Sequence, residues 1–363
     1  MKERYKLMIE PITPVHIGTG IKLNPLDYKI VKTNIGNNRY ARFSSDSILN
    51  RIAVDVNKSR EFDNLVNTSD MKGIQRFFHE NFTQSDLIYL CSITSVFESK
   101  YNVHINEKSL KNACEVEELY RSGGTKNAVI PGSSIKGAIR TALLDMCRDT
   151  SNNFDFQRAR KNKYFQNDLF DMSDAKNDPL RCISVSDCMF ENNKIQMVGS
   201  LQIIDCTGGY LIEKNNSQIW AEIIQGSLME SVRPEEFIIS IDKKLQKATN
   251  LKKEKQIKKS FTIDDIKNEC NYFFGKNFKQ EYNHFYKNEQ KEKYELIHNL
   301  KNQINKIVES EDSFVLRIGR WSQFEFVTLY DKNHNFGKSR TLFDYNGQYL
   351  PMGWCKCTIK KLP

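Results

Sequence analysis

The sequence of 363 residues predicts an α+β protein organised in two blocks. Three observations carry that expectation. Short runs of alternating apolar and polar residues recur along the chain, as half-buried strands require. Runs with apolar residues at helical spacing stand between them. Both kinds of run occur on either side of a Cys206-Thr207-Gly208-Gly209 break, so neither an all-α nor an all-β architecture fits. Hydrophobic residues make up 39% of the chain and include 22 Phe and 15 Tyr, which supplies real cores and excludes global disorder.

In order along the chain, Tyr5, Leu7 and Ile9 alternate with charged or flexible neighbours up to Pro11 and predict a first strand. Residues 28–32 and 39–43 read as two strands joined by the turn chemistry of Asn34, Gly36, Asn37 and Asn38, a hairpin. Residues 44–111 read as mostly helical, with Ser45-Asp46 as the N-cap and Ile48, Leu49, Ile52 and Val56 on one face. Residues 122–126 form a loop. Residues 135–147 carry Ile135, Ile139, Ala142, Leu143 and Met146 at helical spacing, capped by Ser133 or Ser134. Residues 152–178 are polar and read as an insertion, followed by strands at 182–190 and 194–205. Beyond the break, strands are expected at 210–213, 218–225 and 236–241. A basic run then spans 243–259, and a long helix 264–308 begins at Asp264-Asp265. Strands at 314–318, 324–329 and 354–359 close the chain.

Lys and Arg outnumber Asp and Glu by 54 to 45, a net charge of +9, which favours a polyanionic partner because cations at phosphates release condensed counterions. No apolar run approaches a membrane span and no signal sequence is legible, so the expected place is the cytoplasm. The nine scattered cysteines fit reduced thiols there. They show no metal-ligand spacing either: Cys355 and Cys357 alternate along a strand, while His284 and His298 lack a third ligand. Asp27, Asp205 and the Asp264-Asp265 pair form no cluster suited to metal-dependent cleavage.

Two motifs carry binding chemistry. In Gly132-Ser133-Ser134-Ile135-Lys136-Gly137-Ala138-Ile139-Arg140 a turn opens a helix, so backbone N–H groups and the helix dipole favour an anion. Lys136 and Arg140 stand four apart on the face opposite Ile135 and Ile139. An ordinary capped helix with two solvated cations reads the same residues equally well, and the segment is no Walker A motif. In Thr13–Gly20 (TPVHIGTG) a strand end meets a loop where Gly18 and Gly20 permit close backbone approach, beside His16. His16 could act as an acid–base group, donate to a phosphate or stack on a base. A lone His is more often a structural hydrogen-bonder, and no partner for proton transfer stands nearby. Residues 272–287 interleave aromatics with lysines, as single-strand binders do, although one aromatic helix face is more often core.

These residues resemble a known family. TPVHIGTG looks like the N-terminal motif of RAMP-superfamily proteins, where a first strand ends in a His-x-Gly turn. The segment 130–140 (IPGSSIKGAIR) is similar to their helix start, and 314–320 with 350–354 to their closing strands and Gly-rich region. Within the superfamily, length and opening are most similar to the fifth subunits of type III-A CRISPR (Csm) effector complexes. The resemblance implies two ferredoxin-like (RRM-like) modules, 1–206 with a helical insertion at about 44–121 and 207–363 with one at about 262–309. It implies a non-catalytic subunit without cofactor or metal that caps the 3′ end of the CRISPR RNA and supports its maturation in antiviral defence. Its partners would be that RNA, other Csm subunits, above all the repeating backbone subunit, and host trimming nucleases. His16, Gly18, Ser133, Ser134, Lys136, Arg140, Gly319 and Arg320 would line or approach the groove that grips the RNA backbone. The chain departs from the pattern in having the single Gly319 before Arg320-Trp321-Ser322 where a glycine-richer loop is usual. The rival reading is a metal-independent endoribonuclease with His16 as acid–base group, which would need a second proton-transfer residue.

Overall fold

The computed structural model describes residues 2–34, 36–107, 114–149, 165–191, 196–207, 210–214, 218–247, 256–329 and 337–360. The first half of the predicted insertion at 152–178, the glycines at the predicted break, and the middle of the basic run lie outside them. From the N-terminus come β1 (Lys2–Pro11), β2 (Gly18–Leu23), β3 (Tyr28–Lys32), β4 (Asn38–Phe43), α1 (Ser45–Ile52), α2 (Val56–Asn67), α3 (Met71–Asn81), β5 (Leu87–Ile93) and α4 (Ser95–Asn106). Next are β6 (Val116–Leu119), β7 (Ala128–Ile130), α5 (Gly132–Asp149), α6 (Phe165–Phe170), β8 (Ile183–Val185), β9 (Cys188–Phe190), β10 (Gln196–Thr207), β11 (Tyr210–Glu213), β12 (Ile219–Ile224) and β13 (Glu235–Asp242). The last are α7 (Ile263–Glu281), α8 (Glu295–Val308), β14 (Ser313–Arg317), β15 (Ser339–Tyr345), β16 (Gln348–Pro351) and β17 (Trp354–Lys360).

One antiparallel sheet runs in the order β14-β17-β1-β13-β8. β1 sits between β13 and β17, and α5 and α7 are the crossovers, which is the ferredoxin-like arrangement with β14 added at one edge. The alternation of β1 explains its packing. Leu7 and Ile9 point into a core with Ile135, Ile139 and Leu143 of α5 and Phe273 and Phe274 of α7, while Lys6 on the other face meets Glu236 at 2.6 Å. The second sheet runs β2-β6-β12-β10-β5-β4-β3, with β11 and β15 also pairing β10 and β16 pairing β15. Both sheets draw strands from either side of residue 206, and the expected module boundary falls at the end of β10.

Several expectations are corrected. The region read as mostly helical contains β5, whose Tyr89 and Cys91 face the core, and the cap of α1 is Ser44, whose Oγ accepts from Ser47 N–H at 3.1 Å. Ser133 and Ser134 lie inside the first turn of α5 and do not cap it; the Gly132 N–H donates to Asp187 Oδ1 at 2.7 Å. The single long helix breaks after Glu281 in a π-turn, where Lys287 N–H donates to the Tyr282 carbonyl at 2.9 Å. Residues 324–327 are a helical turn, not a strand. The loop expected after His16 becomes β2. Among the described residues no helix is long and apolar enough to cross a membrane.

Candidate nucleic-acid interface

The N-terminal motif leaves β1 and threads between the sheets. Val15 exchanges backbone hydrogen bonds with Ile224 of β12, both 2.9 Å, and the Trp354 N–H donates to Thr13 Oγ1 at 3.0 Å. This carries His16 to a fully buried position where its ring meets the Glu222 carbonyl 2.7 Å from Nδ1. A carbonyl only accepts, so Nδ1 carries the hydrogen and Nε2 holds the lone pair. Burial holds the imidazole below its ordinary value of 6.5, against the opposing pull of the Glu222 carbonyl, and keeps it neutral. Nε2 has no hydrogen-bond partner among the described residues and faces Gly18, where an added Cβ would stand 2.7 Å away.

From the far end of the chain, the loop after β14 closes on the same spot. Arg320 N–H donates to the His16 carbonyl at 2.9 Å. Gly319 has φ +87°, and a Cβ there would stand 2.5 Å from that carbonyl oxygen, so both conformation and space demand glycine. The Trp321 ring lies 4.9 Å from His16. Arg320 Nη1 pairs with Glu117 at 2.6 Å, yet its side chain is 48% exposed and stays open to a ligand. His16, Gly18, Gly319 and Arg320 are thus one constellation.

The α5 residues form a second. Ser133 is exposed, and Lys136 is half-buried with its ammonium lowered by burial despite the nearby Asp178 carboxylate. Arg140 is not the freely solvated cation expected: Nη1 pairs with Asp178 at 2.7 Å, Nε donates to Gln166 at 2.9 Å, and the guanidinium lies over Phe170. The Asp187 carboxylate at the Gly132 N–H further occupies the proposed cradle.

A model of the RAMP superfamily matches residues 8–324. The chain belongs to the RAMP superfamily. Among solved structures it is similar to a chain of the cryo-EM Csm–crRNA–target RNA ternary complex of a type III-A CRISPR–Cas system, at TM-score 0.58 and 18% identity, over 99% of this chain and 100% of that one. It is also similar to the crystal structure of T. onnurineus Csm5, at TM-score 0.59 and 19% identity, over 96% and 99% of the two chains. No curated protein matches the sequence.

What the motifs of this RAMP chain did not reveal is how they are held. Glu222, whose carbonyl fixes His16, is fully buried and accepts from Arg121 Nη2 at 3.0 Å, from Tyr89 OH at 2.8 Å and from Leu119 N–H at 3.0 Å. Behind the Gly319 loop, buried Arg317 meets Glu281 at 2.9 Å, and Arg340 bridges Glu281 at 2.7 Å and Glu325 at 3.1 Å. The only sequence signal was a lone arginine in an apolar strand, FVLRIG. The aromatics of 272–287 are mainly core: Phe273, Phe274, Phe278, Tyr282, Phe285 and Tyr286 are buried, while Tyr272 is exposed. In the basic run, Lys243 pairs with Glu3 and Lys258 with Asp171. Among the described residues no three His, Cys, Asp or Glu side chains are placed to hold a metal.

Proposed function

We propose that this RAMP protein is a non-catalytic RNA-binding subunit of a type III-A CRISPR (Csm) effector complex, capping the 3′ end of the CRISPR RNA and supporting its maturation. The observation that carries the reading is the constellation at His16. Two motifs from opposite ends of the chain meet there, and the group they leave open is a cation, Arg320. End-to-end likeness to a chain of a Csm–crRNA–target RNA complex supports the setting. A backbone grip of this kind positions RNA without itself reading sequence, which is left to any base contacts made beside it.

His16 argues for binding over cleavage. A general acid–base group must reach the proton it moves, whereas His16 is fully buried with Nδ1 committed to Glu222. The test incubates the purified chain with labelled CRISPR RNA, with and without EDTA, across a salt series. The expected result is binding that weakens as salt rises, with no cleavage. Arg320→Ala should weaken binding to all sequences alike and reduce the salt slope by about 1. Cleavage by the wild-type chain that disappears in His16→Ala would overturn the proposal and make the chain a processing enzyme.

A further inference from the structure

Beside Arg320, strands β2, β6 and β12 lie side by side, Lys22 opposite Glu117 and Trp220 opposite Val116. Helix α4 packs over them through Phe97, whose ring is 5.2 Å from Trp220. Between helix and strands is a cavity of about 700 Å³, lined among others by Lys22, His104, Glu115, Glu117, Trp220 and Arg320. Small-molecule sites span roughly 300–1,000 Å³, so the space suits one nucleotide. Its wall also carries an unmet demand. His104 is 2% exposed, and neither of its ring nitrogens has a hydrogen-bond partner among the described residues. Buried polar groups are normally satisfied, and an unsatisfied one lining a cavity points to a ligand.

We infer that this cavity receives a single nucleobase turned out of the bound RNA strand, and that the base is guanine. The inference rests on the RNA-binding reading above. Arg320 at the wall links the cavity to the proposed backbone grip, with Lys22 and Lys100 as further cations for flanking phosphates. Trp220, 9% exposed and held by Phe97, contributes apolar surface to the wall. The choice of base follows from the acceptors. Glu117 is engaged by Arg320 at 2.6 Å, but Glu115 holds only an exposed contact to Lys22 at 3.4 Å and is free to change partners. A carboxylate has two acceptor oxygens and no donor. Guanine presents N1–H and an N2 amino hydrogen side by side and can satisfy both oxygens at once. Adenine and cytosine set a ring acceptor beside their amino group, and uracil flanks N3–H with two carbonyls.

The test is fluorescence anisotropy with labelled oligouridylates of one length carrying a single guanosine scanned along the strand, then inosine, which lacks the N2 amino group, at the responding position. One position should bind roughly tenfold tighter with guanosine than with uridine, about 1.4 kcal/mol, and inosine should lose most of that gain. Glu115→Gln, an exposed change that leaves the fold alone, should erase the guanosine preference. Equal affinity for guanosine at every position, or a preference that survives Glu115→Gln, overturns the inference. Failure of every oligomer to bind defeats the RNA-binding reading instead. In that event calorimetry with guanosine 5′-monophosphate against the other three monophosphates decides the pocket alone: binding without preference for guanosine, or none, overturns it.

Discussion

His16 is held from three directions: the Glu222 carbonyl at Nδ1, Gly18 against Nε2 and Trp321 across its face. Truncation to alanine removes that packing and leaves the Glu222 carbonyl without its donor, a loss of roughly 2–4 kcal/mol. Chemical denaturation of His16→Ala reads it directly, and a change under 1 kcal/mol would contradict the structural role. The same burial has a pH consequence. His16 and His79 both lie below the ordinary 6.5, His79 at about 4, chiefly through burial, with the Lys29 charge adding at His79. Below pH 6.5 the unfolded chain takes up protons that the folded chain refuses. Stability is therefore whole above that value and lost as pH falls through it, at up to ~1.4 kcal/mol per unit for each group. Denaturation midpoints should drop between pH 7 and 5.5, and less steeply in His79→Asn; parallel curves for the two proteins would remove His79 as a cause.

Elements differ in how openly the sequence announces them. The β3–β4 hairpin is legible because alternation and turn residues agree: Gly36 N–H donates to the Thr33 carbonyl, and Tyr28 pairs with Arg42 in register. The start of α7 is legible from Asp264-Asp265, carboxylates that favour the first turn of a helix. Thr262 and Asp265 complete a capping box in which Asp265 N–H donates to Thr262 Oγ1 at 3.1 Å. Its removal in Thr262→Ala should cost about 1 kcal/mol by denaturation. β5 was hidden because its short apolar run, without breakers, sits between true helices. The candidate site was half legible. His16 with Gly18 could be singled out locally, and Gly319 with Arg320 through the family resemblance, but their meeting depends on long-range pairing that no local pattern encodes. The free solvation expected of Arg140 fails because Asp178 and Phe170, which engage it, come from later segments. Arg317, invisible as a site, makes the sharpest prediction at this scale. Arg317→Ala strips Glu281 of one of its two buried partners, and breaking such a pair costs about 3–5 kcal/mol. Soluble protein with an unchanged melting temperature would show the network to be dispensable.

At the scale of the whole molecule, β1 ties the ends of the chain together. It pairs with β13 from Lys2↔Asp242 to Ile9↔Glu235, and with β17 from Lys6↔Lys360 to Pro11↔Cys355. The ferredoxin-like core is therefore completed only when β13 and β17 pair with β1, and residues 1–206 alone hold β1 and β8 without the strands that separate and flank them. An unpaired central strand exposes both backbone edges and an apolar face, which a chain of this size cannot offset elsewhere. The second sheet reinforces the point, since β15 from the C-terminal part pairs with β10 from Ser200↔Asp344 to Asp205↔Ser339. Fragments 1–206 and 207–363 should each be unfolded or aggregated when made alone, and co-expression should recover a complex with the far-ultraviolet circular dichroism of the intact chain. Thermal unfolding of the intact chain should then follow one cooperative transition, because neither sheet can melt without releasing strands from both parts. A sharp independent transition from either fragment would mean that the modules stand alone despite the shared sheets. The His16 constellation would then be a contact between separately folded units, not a junction built by closure of the fold.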